Sequence, residues 1–393
     1  MNKKNNWVLP VIVIAQFLCT SLWFAGNAVL PDLVKDFGLN ESALGHITSA
    51  VQFGFIIGTL CYATLMIADR FSASLVFFIS AVLGALANCS IISAEQNINS
   101  LLILRFFTGF FLAGIYPVGM KIASDHFEKG LGKALGFLVG ALVVGTAFPH
   151  LLKSFTSSLP WKMVIIFTAG LSIFGGILML LVPVGPYQKK SLSLNFTAIF
   201  SIFRNRSFRS AAFGYFGHMW ELYAFWAFVP VILRTYTTLH PEENLNISVL
   251  SFLIIALGGL ACIIGGYLSQ NFGTKKIAFT ALLLSGCCCA ASPFAFNLSF
   301  IPFLIFLILW GLVVIADSPL FSTLVAQNAP AQIKGTAITI VTCIGFSITI
   351  VSIELLNYLS GYMNTQFIYL ILGLGPLAGL IYMLPSKQKP KKA

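Results

Sequence analysis

Long apolar runs separated by short polar stretches extend over almost the whole chain. A membrane-spanning helix needs about 20 consecutive, mainly apolar residues. Twelve runs reach this length, near residues 8–30, 44–67, 73–93, 100–123, 132–152, 162–183, 209–234, 247–269, 277–296, 301–325, 334–356 and 364–384. Because the stretches between the runs are short, neighbouring helices must be antiparallel. The pattern predicts an all-α membrane protein with twelve transmembrane helices.

Basic residues are distributed unevenly among the connecting stretches. With the amino terminus placed in the cytoplasm, 18 of the 23 Lys and Arg residues lie inside and 4 lie outside, while Arg105 falls within a run. Cytoplasmic loops of membrane proteins carry an excess of Lys and Arg. We therefore predict a multi-pass protein of the cytoplasmic (inner) membrane with both termini in the cytoplasm.

The composition excludes the main soluble classes of protein. Only 9% of the 393 residues are charged, whereas soluble domains have about 25%. The net charge of +11 does not indicate nucleic-acid binding, because the basic residues lie in short connecting stretches and not on one folded face. A soluble enzyme, a nucleic-acid-binding module and a disordered chain are therefore excluded.

The apolar runs contain no catalytic or cofactor-binding motif. P-loop, GxSxG, HExxH and zinc-cysteine patterns are absent from the sequence. All eight cysteines lie inside apolar runs, where they are expected to act as small packing residues. We therefore expect no enzymatic activity, no cofactor and no bound metal.

The longest connecting stretch, residues 184–208, lies near the middle of the chain. Its second part has apolar residues at helical spacing and basic residues at its end, a pattern typical of a short amphipathic helix on a membrane surface. We predict two six-helix bundles, residues 1–183 and 209–393, joined by this linker.

The two predicted bundles resemble each other at an offset of about 200 residues. The segment NAVLP at 27–31 parallels WAFVP at 226–230. The segment GIYPVGMKIASD parallels ADSPLFSTLVAQ, which aligns Pro117 with Pro319. Six-plus-six repeats of this kind are typical of transporters that work by alternating access.

Short motifs in both bundles resemble the major facilitator superfamily. Asp69 and Arg70 lie between runs two and three, and Arg105 lies in the glycine-containing run four. The equivalent stretch around the end of run eight retains Gly266, Gly273, Lys275 and Lys276. The resemblance covers essentially the whole chain. It implies two pseudo-symmetric bundles and a central substrate path lined by runs one, four, seven and ten.

The resemblance also implies a mechanical role for Asp69. Its carboxylate is expected to cap the positive amino-terminal end of run eleven, near residues 332–335, across the joint between the bundles. Such a latch would favour the conformation that is closed to the cytoplasm. The alternative is a solvated ion pair between Asp69 and Arg70, which would contribute under about 1 kcal/mol.

Four ionisable residues stand out inside the runs, where a charge is costly and indicates a functional site. Two of them, His218 and Glu221, lie near the middle of run seven, and a spacing of three residues puts them on one helical face. Burial favours a neutral carboxyl, whereas a nearby cationic His favours the carboxylate. We predict that the pair carries a proton, with Glu221 as the carrier. The alternatives are a His–Glu hydrogen bond that joins helices, substrate binding, and a metal site.

The other two intramembrane charges are Asp317 and Arg105. Asp317 is expected closer to the cytoplasm in run ten, where it could attract a cationic or hydrogen-bond-donating substrate or satisfy backbone groups freed by a nearby proline. Arg105 is always charged, and no acidic residue lies deep in the first bundle. Carbonyls and amides such as those of Gln16, Asn27 and Gln52 are its expected partners. We predict a structural or gating role, with contact to an anionic substrate as the alternative.

Asn27, Tyr116 and Trp226 lie on runs one, four and seven, which the resemblance assigns to the central path. We predict that they are path residues. Aromatic rings on the path would suit an amphipathic or aromatic substrate.

Together these features predict a secondary transporter that moves a small organic solute by alternating access and is coupled to protons. Its expected partners are the solute, protons and the lipid bilayer, and we expect a monomer that binds no nucleic acid. Two alternatives stay open. One is a uniporter or importer in which His218 and Glu221 bind substrate, and the other is a membrane sensor that keeps the fold without transport.

Overall fold

A computed structural model describes residues 7–40, 42–93, 97–127, 131–155, 159–188, 202–330 and 333–384. Within these ranges the chain is helical and contains no strand. The helices before the linker are α1 (Val8–Thr20), α2 (Ala25–Ala28), α3 (Leu30–Phe37), α4 (Ala43–Thr64), α5 (Ile67–Arg70), α6 (Ala73–Cys89), α7 (Ile98–Leu112), α8 (Tyr116–His126), α9 (Leu131–Phe155) and α10 (Lys162–Leu180).

The helices after the linker are α11 (Arg206–Leu239), α12 (Ile247–Ala256), α13 (Gly258–Phe272), α14 (Thr274–Ala295), α15 (Phe300–Ala316), α16 (Ser318–Asn328), α17 (Lys334–Ser360) and α18 (Leu374–Met383). Short 3-10 helices span Ser90–Ile92 and Ile368–Gly373. The two sets of helices are called the first half and the second half below. The predicted boundaries of the two bundles stay a prediction, and residues 189–201 of the predicted amphipathic linker lie outside the described residues.

Ten helical segments in the described residues are long and apolar enough to cross a membrane. Two further apolar segments, Val8–Thr20 and Ile368–Met383, are shorter. The all-α, multi-pass membrane fold is therefore confirmed. The count of twelve transmembrane helices and the orientation of the termini stay predictions.

The first apolar run is not one continuous helix. The prediction of one continuous helix over 8–30 is wrong, because α1 ends at Thr20 and a turn over residues 21–24 precedes α2. The Thr20 hydroxyl donates to the Gln16 carbonyl at 2.9 Å and the Ser21 hydroxyl donates to the Leu18 carbonyl at 2.6 Å. Hydroxyl groups that bond back to the preceding turn in this way compete with backbone hydrogen bonds and bend helices.

Runs four and ten are interrupted in the same manner. In run four, α7 ends at Leu112 and α8 restarts at Tyr116 with Pro117 in its first turn. In run ten, α15 ends at Ala316 and α16 restarts at Ser318 with Pro319 in its first turn. Proline lacks an N–H and is tolerated in a first turn but not in a helix interior. The two prolines aligned by the repeat therefore occupy equivalent structural positions.

The two halves touch mainly along three helix pairs, which are α4 with α17, α9 with α12, and α9 with α13. Contacts between polar groups join the halves near His46. The His46 imidazole lies 3.1 Å from the Glu354 carboxylate, and the Asn357 amide donates to the Ser42 carbonyl at 2.9 Å. We call this side of the bundle the His46 end, and the opposite side, which carries residues 65–72, the Asp69 end. The halves are held together at the His46 end.

Thiol labelling tests the orientation and the number of spans. Single cysteines introduced at Ser72 and Asn205, on the Asp69 end, are expected to react with a membrane-impermeant maleimide only from the cytoplasm because of the excess of basic residues there. Cysteines at Asn40 and Asn244 are expected to react only from outside. Labelling of intact cells measures access from outside, and labelling of inside-out vesicles measures access from the cytoplasmic side. A cytoplasmic label at Asn40 would contradict the predicted topology.

Candidate functional site

The break between α15 and α16 places a carboxyl group in the core of the second half. Asp317 is the residue that joins the two helices, and both it and His218 on α11 are buried, at 0% and 1% exposure. Their side chains form an ion pair, with 2.8 Å between His218 Nδ1 and Asp317 Oδ1. Asp317 therefore lies at the same level of the bundle as His218, and its predicted position closer to the cytoplasm stays a prediction.

Each member of this pair keeps one polar atom without a protein partner. His218 Nε2 and Asp317 Oδ2 are buried and make no hydrogen bond within the described residues. The rings of Tyr215 and Phe321 lie near the imidazole, with centroids 6.1 and 6.2 Å away. A buried polar atom without a partner costs about 1–3 kcal/mol. Such atoms indicate a place where water, a proton or a ligand is bound.

Glu221 does not pair with His218. Its Oε1 accepts a hydrogen bond from Trp310 Nε1 at 2.7 Å and one from the Cys289 thiol at 3.2 Å, and its Oε2 accepts one from the Ser285 hydroxyl at 2.8 Å. These donors lie on α14 and α15, so the carboxyl group is held within the second half. The predicted His218–Glu221 pairing is therefore wrong, because a shared helical face does not decide which neighbouring helix each side chain meets.

Arg105 on α7 connects three helical segments of the first half. It donates from Nη1 to Asn88 Oδ1 at 3.0 Å, and from Nη2 to the carbonyls of Leu22, at 3.1 Å, and Trp23. Those carbonyls belong to the turn that interrupts the first run. The expected class of partner, carbonyls and amides, is confirmed, but the amide is that of Asn88 and not one of the three that were expected.

Removal of Arg105 should destabilise the first half strongly. In an Arg105→Met variant the two carbonyls and the Asn88 amide lose their partner in a dry environment, at a cost of about 3 kcal/mol or more. Thermal unfolding in detergent, followed by the loss of helical circular dichroism, measures the effect. The control variant Lys276→Met removes an exposed cation. It should leave the midpoint temperature of unfolding within error of the wild type. Equal midpoints for both variants would contradict a structural role.

Aromatic rings from both halves meet in the centre of the bundle. Trp23 of the first half stacks on Tyr223, with centroids 5.7 Å apart, and on Phe346, with centroids 5.9 Å apart. Phe55 packs against Phe346 at 4.5 Å. We call these four residues the aromatic cluster. Trp226, a predicted path residue, packs edge-on against Tyr223 at 5.3 Å and lies beside the cluster.

The other two predicted path residues lie in different surroundings. Asn27 donates from Nδ2 to Thr48 Oγ1 on α4 at 2.7 Å, and its Oδ1 has no partner in the described residues. Tyr116, at the start of α8, lies close enough to Tyr215 and Cys262 of the second half to interact with them electrostatically. Asn27 thus joins two helices of the first half, whereas Tyr116 lies at the boundary between the halves.

The Asp69 carboxylate is paired within its own half. Lys121 Nζ on α8 lies 3.2 Å from Asp69 Oδ1 and 3.0 Å from Asp125 Oδ2. The predicted contact of Asp69 with the start of run eleven stays a prediction, because Gln332 lies outside the described residues. Lys121 is not among the predicted partners of Asp69, although a lysine one turn before Asp125 is a recognisable helical ion pair.

The long apolar helices define a multi-pass membrane protein. The sequence profile of the Major Facilitator Superfamily matches residues 12–353 of the chain. The chain therefore belongs to the major facilitator superfamily, and it is a transporter and not an enzyme.

The chain is similar to several members of this family. It is 27% identical over 173 residues to the probable galactarate/D-glucarate transporter GudP of Escherichia coli. This match covers 41% of this chain and 38% of GudP. It is 29% identical over 160 residues to the niacin transporter NiaP of Acinetobacter baylyi, and this match covers 35% of this chain and 36% of NiaP. The matches thus span under two-fifths of the length of these relatives.

A solved structure matches nearly the whole chain. The proton:xylose symporter XylE, bound to 6-bromo-6-deoxy-D-glucose, superimposes with a TM-score of 0.74 and 14% sequence identity. The match covers 96% of each chain. At this level of identity the similarity establishes the fold alone.

Proposed function

We propose that this protein is a proton-coupled secondary transporter that moves a small organic acid across the cytoplasmic membrane by alternating access. The observation that carries the coupling is the buried His218–Asp317 pair at the interrupted tenth run. Both side chains are ionisable, and each keeps one polar atom without a partner among the described residues.

The position of Asp317 links protonation to helix movement. The residue is the joint between α15 and α16, so a change in the angle between these helices moves its carboxyl group relative to His218. Protonation of Asp317 at Oδ2 removes the charge attraction that holds the pair together. A site whose charge state favours one helix arrangement shifts the balance between the two arrangements. Glu221, held by three donors, is a poorer candidate for this role.

The nature of the substrate is suggested by the relatives and by the first half. The two relatives named above are transporters of galactarate or D-glucarate and of niacin, all of which are organic acids. Arg105 is a buried cation whose Nε has no partner in the described residues. Trp23 Nε1 and the Gln52 amide, also in the first half, are buried and have no hydrogen-bond partner among the described residues. A carboxylate could accept hydrogen bonds from groups of this kind.

Alternating access requires a bundle that closes at one end at a time. The polar contacts of His46 and Ser42 join the halves at the His46 end, and the aromatic cluster joins them in the centre of the bundle. The breaks in runs one, four and ten interrupt the helices predicted to line the path. These features support a conformation that is closed at the His46 end and can rearrange by bending at the breaks.

Flux measurements in liposomes test this proposal. Purified protein is reconstituted, and uptake of labelled nicotinate and D-glucarate is followed with and without an inward proton gradient, with protein-free liposomes subtracted. One pH unit supports accumulation of up to about tenfold for each coupled proton. Nicotinamide, which lacks the carboxylate, is the matched control solute and should not be accumulated.

The result also separates the rival functions. Uptake that stops at equal concentrations, whatever the pH gradient, would exclude proton coupling and favour the uniporter. Equal uptake of nicotinamide and nicotinate would exclude selection of an acid. Protein-dependent flux of neither acid, from protein that unfolds cooperatively, would contradict an organic acid as the substrate.

A further inference from the structure

A groove between the two halves opens toward the Asp69 end of the bundle. It is formed by α9 of the first half and by α13 and α16 of the second, and its volume is about 160 Å³. Pockets that enclose a whole small molecule have volumes of roughly 300–1,000 Å³. The groove is smaller and partly open, so it suits one chain of a larger molecule.

Glycines explain where the groove begins. A Cβ added to Gly140 on α9 would lie 3.3 Å from the Gly259 carbonyl on α13, so the two backbones touch at this level. One turn earlier on α9, a Cβ added to Gly136 would meet no atom within 4 Å, and the same holds for Gly266 on α13. Gly136 and Gly266 both line the groove. Space therefore opens between the halves just beyond their point of contact.

The walls of the groove change from apolar to polar along its length. Phe137, Ile263 and Leu320 supply an apolar part. Ser269, Gln270 and Thr274, at and just beyond the end of α13, supply a polar part. An apolar floor with a polar mouth near the end of a transmembrane helix matches an amphiphile, whose tail lies in the bilayer and whose headgroup lies at its surface.

The charges at the mouth are positive. Lys133 lines the groove and is exposed. Lys275 and Lys276, which directly follow the lining residue Thr274, are exposed as well. Among the residues that the structure describes, those that line the groove include no Asp or Glu. Basic pockets between transmembrane helices on the cytoplasmic side bind anionic lipid headgroups, and the distribution of basic residues predicts that the Asp69 end is cytoplasmic.

We propose that this groove binds an anionic phospholipid. One acyl chain lies along the apolar part beside Phe137 and Leu320, and the phosphate lies at the mouth near Lys133. A chain in the groove keeps α9 and α13 apart at the Asp69 end, so bound lipid stabilises the conformation in which the groove exists. Binding requires neither a transported solute nor a proton, so it is independent of the proposed transport activity.

Native mass spectrometry of the delipidated protein tests this proposal. The full chain is titrated with dioleoyl phosphatidylglycerol and with dioleoyl phosphatidylcholine. Gly266→Leu places a side chain in the groove, where an added Cβ meets no atom within 4 Å, and should weaken the first binding step about tenfold for both lipids. Lys133→Gln should reduce the preference for phosphatidylglycerol about fivefold, as expected for loss of one Lys near an anionic headgroup.

The matched control is Gly170→Leu. Gly170 lies exposed on α10, and an added Cβ there also meets nothing within 4 Å, so this variant should bind both lipids as the wild type does. If Gly266→Leu fails to fold, Gly136→Leu fills the groove from the opposite wall. Wild-type binding by a folded groove-filling variant, or an unchanged preference in Lys133→Gln, would overturn the proposal. Displacement of the lipid by glycerol phosphate alone would also overturn it, because no acyl chain would then be needed.

Discussion

Replacing Asp317 with asparagine should reduce accumulation driven by one pH unit from about tenfold to none above equilibrium. Asparagine has nearly the shape of aspartate and keeps an oxygen at the position that lies 2.8 Å from His218 Nδ1. It cannot bind the proton, however, so the proton gradient can no longer drive solute accumulation through this residue. Uptake of labelled nicotinate into liposomes, with the membrane potential held at zero, measures the loss.

Exchange of labelled for unlabelled solute distinguishes a coupling defect from a folding defect. Asp317→Asn should still exchange solute, because exchange needs the path and its rearrangement but no net movement of protons. His218→Gln should shift the pH dependence of accumulation while some accumulation remains, because the imidazole influences the carboxyl group without being the proton carrier. Loss of both exchange and accumulation in Asp317→Asn would show that the residue is needed for the fold or for substrate binding.

Glu221→Gln is the matched control for Asp317→Asn. Glutamine keeps an oxygen for the Trp310 donor and can donate to the Ser285 hydroxyl, so the contacts of this buried side chain are largely retained. We expect most of the accumulation to survive in this variant. The opposite result, with accumulation lost in Glu221→Gln and retained in Asp317→Asn, would support Glu221 as the carrier, as the sequence alone predicts, and would leave His218–Asp317 as a contact between helices.

The helical membrane fold can be predicted from the sequence because lipid imposes a strong constraint. Every backbone polar group must be satisfied within the membrane, so a long apolar run has to become a helix. The interruptions are harder to predict. Pro319 marks the break in run ten, but no proline marks the break at residues 21–24. There, hydroxyl groups and Arg105 donate hydrogen bonds to backbone carbonyls.

The ionisable residues can also be found from sequence, because a charge inside an apolar run is conspicuous. Their partners cannot be found in this way. Glu221 is bonded by Ser285 and Trp310, which are 64 and 89 residues away in the chain. His218 meets Asp317 through packing of α11 on the broken tenth run. Helical periodicity gives the face of a residue relative to its own helix, and only the packing of the bundle decides what that face meets.

The aromatic cluster gives the second prediction with a large expected effect. Phe346 is 4% exposed and contacts Trp23 and Phe55 across the boundary between the halves. Truncation of a buried Phe to Ala costs about 3–5 kcal/mol. Because these contacts join the halves, the substitution should destabilise the conformation closed at the His46 end more than the open conformation. Each 1.4 kcal/mol of this difference changes the ratio of their populations about tenfold.

Hydrogen–deuterium exchange measures the opening in Phe346→Ala. Backbone amides over residues 43–50 and 350–360, which flank the His46–Glu354 contact, should exchange faster than in the wild type. Phe303→Ala is the matched control, because Phe303 is buried and stacks on Tyr236 at 3.9 Å within the second half. It should lower stability without selective opening at the His46 end. If both variants exchange alike in these two segments, the aromatic cluster only fills the core, and closure of the His46 end depends on its polar contacts alone.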